Sequence, residues 1–330
     1  MNKIKVGIID TGVEKKIFDN VHLKCYKLYI DENNYINLEI NNSDMNGHGT
    51  LVLSSILSEV NDTSMLEFYS INITDTQESS IELLVEAIKL MIKFDVKILN
   101  ISMALEYNMK DERLNELLNL INYSKNKIAI LCSEYNGKKD TFPASFNNVI
   151  GINTYYGGSK SEFYVNNIYE KNILVNSRSK LLKNNKGAYE FFGDSTSFAT
   201  STATGIVLNE LVENNEEYDV SEEVLEYIFE IILASKNRIE YNLILQNDRY
   251  FNSCEYTEEK KVYYSCMIKS YPYFDRLIII NQKFDLDYVL DFFIFLYNKY
   301  NIMINKNNIR LFDFYSMNTL MNFIHRNTRI

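Results

Sequence analysis

The chain has 330 residues, 46% of them hydrophobic, and its 34 Lys and Arg against 44 Asp and Glu give a formal net charge of −10. That length accommodates an α/β domain with a sizeable core and a smaller second unit. The acidic balance speaks against a nucleic-acid partner, which needs a basic face, and no apolar run reaches the roughly 20 residues that span a membrane.

Met1-Asn2-Lys3 runs straight into Ile4-Lys5-Val6-Gly7-Ile8-Ile9 with no secretory apolar region before it. This first stretch reads as a buried parallel strand. Asp10 closes it and Thr11-Gly12 turn the chain, which puts a carboxylate at the carboxyl end of a strand, where open α/β sheets place their sites. Asn46-Gly47-His48-Gly49-Thr50 then opens a helical pattern through Leu51, Val52, Leu53, Ile56 and Leu57. His48, one of only three histidines, stands at that helix's N-terminus, where the dipole favours a neutral imidazole.

Strand-like runs at 66–73, 96–102, 127–133 and 148–153 alternate with helix-like segments at 79–94 and 110–124. The alternation predicts βαβ units and a mainly parallel sheet. Ser195-Thr196-Ser197-Phe198-Ala199-Thr200 leads into a helical run over 198–212, and its small residues Ala199, Ser201, Ala203 and Gly205 permit close packing. A helix over 221–235 closes this first unit, residues 1–235. From Lys236 to Ile330 the chain turns rich in Tyr and Phe. Strand-like pieces around 240–246 and 261–269, followed by a helix from Asp285 to Tyr300, predict a small C-terminal α+β appendage.

A carboxylate, an imidazole and a hydroxyl in the order Asp10, His48, Ser197 form the set that makes a serine nucleophilic. The imidazole takes the hydroxyl proton, and the carboxylate fixes its tautomer and stabilises the imidazolium. Taken singly, Asp-Thr-Gly is a turn and a Ser/Thr-rich stretch is a helix cap. Together, each at a strand or helix end, they point to catalysis. Cys25, Cys132, Cys254 and Cys266 show no C-x-x-C spacing and no nearby histidine, so they read as reduced structural thiols. No D-x-D-x-D-G loop occurs, and no metal or cofactor is expected.

These segments resemble the motifs of the subtilisin-like serine peptidases, the subtilase family. Asp10-Thr11-Gly12 and His48-Gly49-Thr50 match the first two motifs, in the family's chain order. The third, Gly-Thr-Ser-Met-Ala-Thr-Pro, is matched at Thr196, Ser197, Ala199 and Thr200, with Ser195, Phe198 and Ser201 standing for its glycine, methionine and proline. The run from Val96 to Ala104 is similar to the strand that pairs with substrate, and Thr141-Phe142-Pro143-Ala144 resembles the stretch after the oxyanion-hole residue.

Covering roughly residues 1–235, the resemblance implies a three-layer subtilisin-like α/β fold, a mainly parallel sheet flanked by helices. It implies a serine endopeptidase in which Ser197 attacks, His48 shuttles the proton and Asp10 orients His48. Ser102, Met103 and Ala104 would pair with the substrate backbone, with Leu131 and Cys132 opposite, in a pocket without strong charge. The side-chain oxyanion donor is Asn136 if one residue is inserted, and Tyr135 falls on that position in an ungapped count. The implied partner is a peptide or protein substrate. Secreted members carry a propeptide for which this start leaves no room, so a cytoplasmic enzyme is expected, one suited to dedicated processing such as leader-peptide removal. Two alternatives stay open: an inactive peptide-binding protein on the same fold, and a transpeptidase in which an amine resolves the acyl-enzyme. Residues 283–326 loosely resemble an acyl- or peptidyl-carrier domain, but Asp285-Leu286-Asp287 stands where a carrier has its attachment serine, so no prosthetic group would attach.

Overall fold

Strand β1 (Ile4–Asp10) lies inside a nine-stranded sheet because it is apolar toward both faces. The structure is a computed structural model that describes residues 3–75, 80–103, 112–134, 141–155, 161–213, 224–239, 257–279, 284–304 and 309–328. Parallel neighbours β4 (Leu66–Asn72) and β5 (Ile98–Ile101) flank β1. Beyond β5 the parallel run continues through β6 (Ala129–Ser133), β7 (Ile150–Tyr155) and β9 (Asn172–Asn176), and β2 (Leu23–Ile30) lies beyond β4. Antiparallel strands finish both edges, β3 (Ile36–Ile40) on β2 and β8 (Phe163–Asn167) on β9, giving the order β3-β2-β4-β1-β5-β6-β7-β9-β8.

Successive side chains on a strand face opposite ways, and this divides the core in two. Val6 and Ile8 face a layer made by α1 (His48–Glu59), α4 (Thr196–Glu213) and α5 (Val224–Ala234). Ile9 faces the opposite layer, α2 (Ile81–Lys93) and α3 (Glu112–Ser124). Ser80 caps α2, its hydroxyl accepting from the Leu83 N–H at 3.2 Å. The subtilisin-like three-layer α/β arrangement expected from sequence is the one present.

Within the first layer α1 and α4 pack at close range. The Ser201 hydroxyl lies 2.8 Å from Ser55 Oγ, and a Cβ on Gly205 would come within 2.5 Å of the Ile56 carbonyl oxygen. These pairs advance together along both helices, so α1 and α4 run the same way and their N-termini lie at one end of the sheet.

A separate hairpin, β10 (Lys180–Lys183) and β11 (Tyr189–Phe192), joins this layered unit to a third core. That core is built on α6 (Glu258–Lys269), α7 (Leu286–Tyr300) and α8 (Met317–Asn327). The appendage is thus helical among the described residues. The strand expected at 261–269 is helix α6, because Tyr264, Met267, Ile268 and Tyr271 are buried at helical spacing. The strand expected at 240–246 lies outside the described residues. Asp285 caps α7, its carboxylate accepting from the Asp287 N–H at 3.1 Å. No described helix is long and apolar enough to cross a membrane.

Candidate active site

Asp10 shares the parity of Val6 and Ile8 on β1, so its side chain points to the α1 side of the sheet. There His48 Nδ1 donates to Asp10 Oδ1 at 2.7 Å, and the Thr11 N–H donates to the same oxygen at 2.7 Å. Asp10 Oδ2 is buried with no hydrogen-bond partner among the described residues. The bond to Nδ1 fixes the neutral ring as the tautomer with Nε2 unprotonated, leaving that nitrogen to act as a base. α1 can approach this closely because residue 49 is glycine. A Cβ there would collide with the Gly12 carbonyl oxygen.

Asp44 completes the mount and was missed in the sequence. It is buried. Oδ1 accepts from the Thr11 hydroxyl at 3.0 Å and the Gly47 N–H at 2.7 Å, and Oδ2 accepts from the Thr50 N–H at 2.9 Å and the Thr50 hydroxyl at 2.7 Å. One carboxylate therefore ties the turn after β1 to the first turn of α1, where negative charge is favoured. The only sequence signal was its place four residues before His48.

The helix dipole suggested a neutral His48, and the surroundings reverse that expectation. Burial of the ring opposes the cation, but the charge and hydrogen bond of Asp10, with the charge of Asp44 behind it, outweigh burial and hold the imidazole pKa above its ordinary value.

Ser197 stands in the first turn of α4. Ser195 caps that turn, its hydroxyl accepting from the Phe198 N–H at 3.2 Å, which gives the residue in place of the family's glycine a role of its own. Ser197 Oγ donates to the Ser102 carbonyl at 3.0 Å. Since Ile9 pairs with Ile101 across β1 and β5, Asp10 and Ser102 lie level at adjacent strand ends. Phe192 spans the remaining gap, its ring edge-on to His48 at 5.7 Å and to Phe198 at 5.6 Å between centroids. Asp10, His48 and the Ser197 turn are thus gathered at the carboxyl ends of β1 and β5. The Ser197 N–H belongs to the first helical turn, whose amides lack partners within the helix.

The other expected site residues divide. Ser102 is buried, and its hydroxyl accepts from Asn100 Nδ2 at 2.7 Å. Met103 is packed against the α2 and α3 core, and its carbonyl accepts from the Cys132 thiol at 3.6 Å. Leu131 and Cys132 have no exposed surface and sit in opposite cores, so they back the sheet without reaching a substrate. Burial also pushes the Cys132 thiol pKa well up, keeping it protonated and inert. Ala104, Tyr135 and Asn136 lie outside the described residues. The stretch holding the last two starts from an anchored residue, since Glu134 accepts from Asn153 Nδ2 at 2.7 Å and from Asn172, and its N–H donates to the Ile152 carbonyl at 2.9 Å.

Comparison with known proteins agrees with this fold. A profile of the subtilase family matches residues 1–230. No curated protein matches the chain. Among solved structures, the epidermin leader peptide processing serine protease EpiP from Staphylococcus aureus is similar at 18% identity and a TM-score of 0.53, over 77% of this chain and 76% of that one. The nisin leader peptidase NisP from Lactococcus lactis is similar at 15% identity and a TM-score of 0.54, over 75% of this chain and 88% of that one. The prenylagaramide maturation protease PagA is similar at 14% identity and a TM-score of 0.53, over 75% of this chain and 94% of that one. At these identities the likeness is one of fold.

Proposed function

The chain belongs to the subtilase family of serine endopeptidases, and on that premise we propose that Asp10, His48 and Ser197 are its catalytic set. The observation that carries this reading is the Asp10–His48 hydrogen bond lying beside the strand end whose carbonyl holds Ser197 Oγ. Catalytic hydrogen bonds are often misaligned before substrate arrives. For attack, Ser197 Oγ gives up its bond to the Ser102 carbonyl and passes its proton to His48 Nε2 as Oγ bonds to the scissile carbonyl carbon. Asp10 stabilises the imidazolium. The Ser197 N–H, with Asn136 as the side-chain donor, receives the developing oxyanion. His48 then returns its proton to the departing amine as the C–N bond breaks, and water, deprotonated by His48, releases the acyl group and restores Ser197.

The substrate class is a precursor peptide trimmed of its leader, in line with the leader-processing proteases among the similar structures. The enzyme works in the cytoplasm. Cys25, Cys132 and Cys266 are free thiols, a state that a reducing compartment preserves. Cell fractionation that places the protein outside the cell would overturn this location.

The catalytic assignment is tested with a fluorophosphonate probe and peptide mapping. Wild-type protein takes the label on Ser197, and Ser197→Ala takes none. Equal labelling of both proteins, or an unlabelled wild type, sinks the assignment.

A further inference from the structure

Arg310 lies far beyond the nucleophile in sequence, yet its side chain is buried against the catalytic unit, 1% exposed. Its guanidinium lies 5.7 Å from the ring centroid of Phe198, the residue after Ser197. Nη1 donates to the Arg178 carbonyl at 2.5 Å and Nη2 donates to Ser161 Oγ at 2.7 Å. Both bonds lead back to the site. On either side of Arg178, the Ser177 carbonyl accepts from the Asp194 N–H at 2.6 Å, and Ser179 Oγ donates to the Asp194 carboxylate at 2.9 Å. Asp194 belongs to the loop that delivers Ser197. Ser161 in turn donates to Glu59 Oε1 at 2.7 Å, and Glu59 ends the helix that His48 begins.

The backbone beside Arg310 extends the β10–β11 hairpin. The Leu181 N–H donates to the Ile309 carbonyl at 2.9 Å, and the Leu311 N–H donates to the Ser179 carbonyl at 2.8 Å. The hairpin itself faces two ways. Phe191 packs on Phe284 and Phe314 of the C-terminal core, and Phe192 packs on His48 and Phe198. A buried guanidinium is costly unless matched. Here Nη1 and Nη2 meet two acceptors, the group lies over an aromatic ring, and Nε is buried with no partner among the described residues, an arrangement that a lysine ammonium does not reproduce.

Resting on the catalytic reading above, we propose that Arg310 is a positioning residue of the active site. From the C-terminal unit it fixes the loop before Ser197 and braces the helices that carry His48 and Ser197. A segment beyond the family-matched residues 1–230 thereby completes the centre.

The test uses the full-length chain carrying Arg310→Met or Arg310→Lys, with Phe323→Leu as a control in the same C-terminal core. Circular dichroism first establishes that each variant is folded, and peptide mapping that wild type is labelled on Ser197. Arg310→Met should slow fluorophosphonate labelling and kcat at least tenfold with KM within twofold, since Arg310 touches no substrate. Arg310→Lys should fall between, and it carries the test alone if the methionine variant does not fold. Phe323→Leu should lower the melting temperature while keeping wild-type labelling. Folded Arg310 variants that label at the wild-type rate overturn the inference, as does equal slowing in Phe323→Leu. An unlabelled wild type sinks the catalytic reading and this inference with it, so the two failures remain distinguishable.

Discussion

Asp44 grips Thr50 twice, through the backbone N–H at 2.9 Å and the hydroxyl at 2.7 Å, and so fixes the first turn of the helix that begins with His48. Asp44→Asn keeps the shape but loses the charge and cannot accept all four hydrogen bonds that Asp44 takes from Thr11, Gly47 and Thr50. Hydrogen bonds to charged groups contribute roughly 1.5–3 kcal/mol, so urea unfolding should report a loss of about 2 kcal/mol. Because the Asp44 charge helps raise the His48 pKa, the midpoint of the pH–rate profile should also move down. An unmoved midpoint in a folded variant would remove Asp44 from the site's electrostatics.

The raised His48 pKa sets opposite pH trends for activity and stability. A folded-state pKa above the ordinary histidine value of about 6.5 means that this group's stabilisation is fully present below that value. It is lost as pH rises through the folded pKa. The proposed mechanism needs the neutral ring, so kcat/KM should climb over the same interval, with its midpoint above about 6.5. A midpoint at or below that value contradicts the Asp10–His48 electrostatics described above.

Gly205→Ala would drive a Cβ into the Ile56 carbonyl oxygen and wedge α4 away from α1. Overpacking of this kind costs about 1–3 kcal/mol. Labelling of Ser197 should slow along with the loss of stability, since the same helix pair carries His48 and Ser197. An unchanged unfolding midpoint would mean the two helices yield more easily than their packing implies.

Thiol alkylation should separate the cysteines by burial. Cys266 is exposed, whereas Cys25 and Cys132 are buried, and burial pushes the Cys25 thiol up to about 12. Iodoacetamide applied to native protein should therefore modify Cys266 and spare Cys25 and Cys132, as read by peptide mass spectrometry. Rapid modification of Cys132 would show the strand beside the site to be open.

The centre of the sheet and the turns that carry Asp10, His48 and Ser197 were legible because each rests on local chemistry. The run from Ile4 to Asp10 is apolar enough to mark a buried strand, and Gly49 and Gly205 mark places where backbones touch. Asp44 was not legible, since Asp44-Met45-Asn46-Gly47 reads as a polar turn and only folding brings Thr11 and Thr50 to it. The β10–β11 hairpin escaped because Leu181-Leu182 and Phe191-Phe192 are apolar doublets. Each buries one member in either core, so the alternation that marks a half-buried strand is missing. Edge strand β3, with Ile36, Leu38 and Ile40 exposed, carries no burial signal at all. Helix α6 looked like a strand because its tyrosines, valine and isoleucine favour extended chain, and tertiary packing overrode that preference. Arg310, a lone cation in a connecting segment, gives no hint in sequence that it will be buried.

The hairpin that faces two cores also bears on the enzyme's lifespan. A cut within the C-terminal helices would loosen Phe191, release its neighbour Phe192 and unseat the imidazole that Phe192 abuts. Self-cutting that begins in the tail would therefore limit itself, each clipped molecule being a slower enzyme than the intact one.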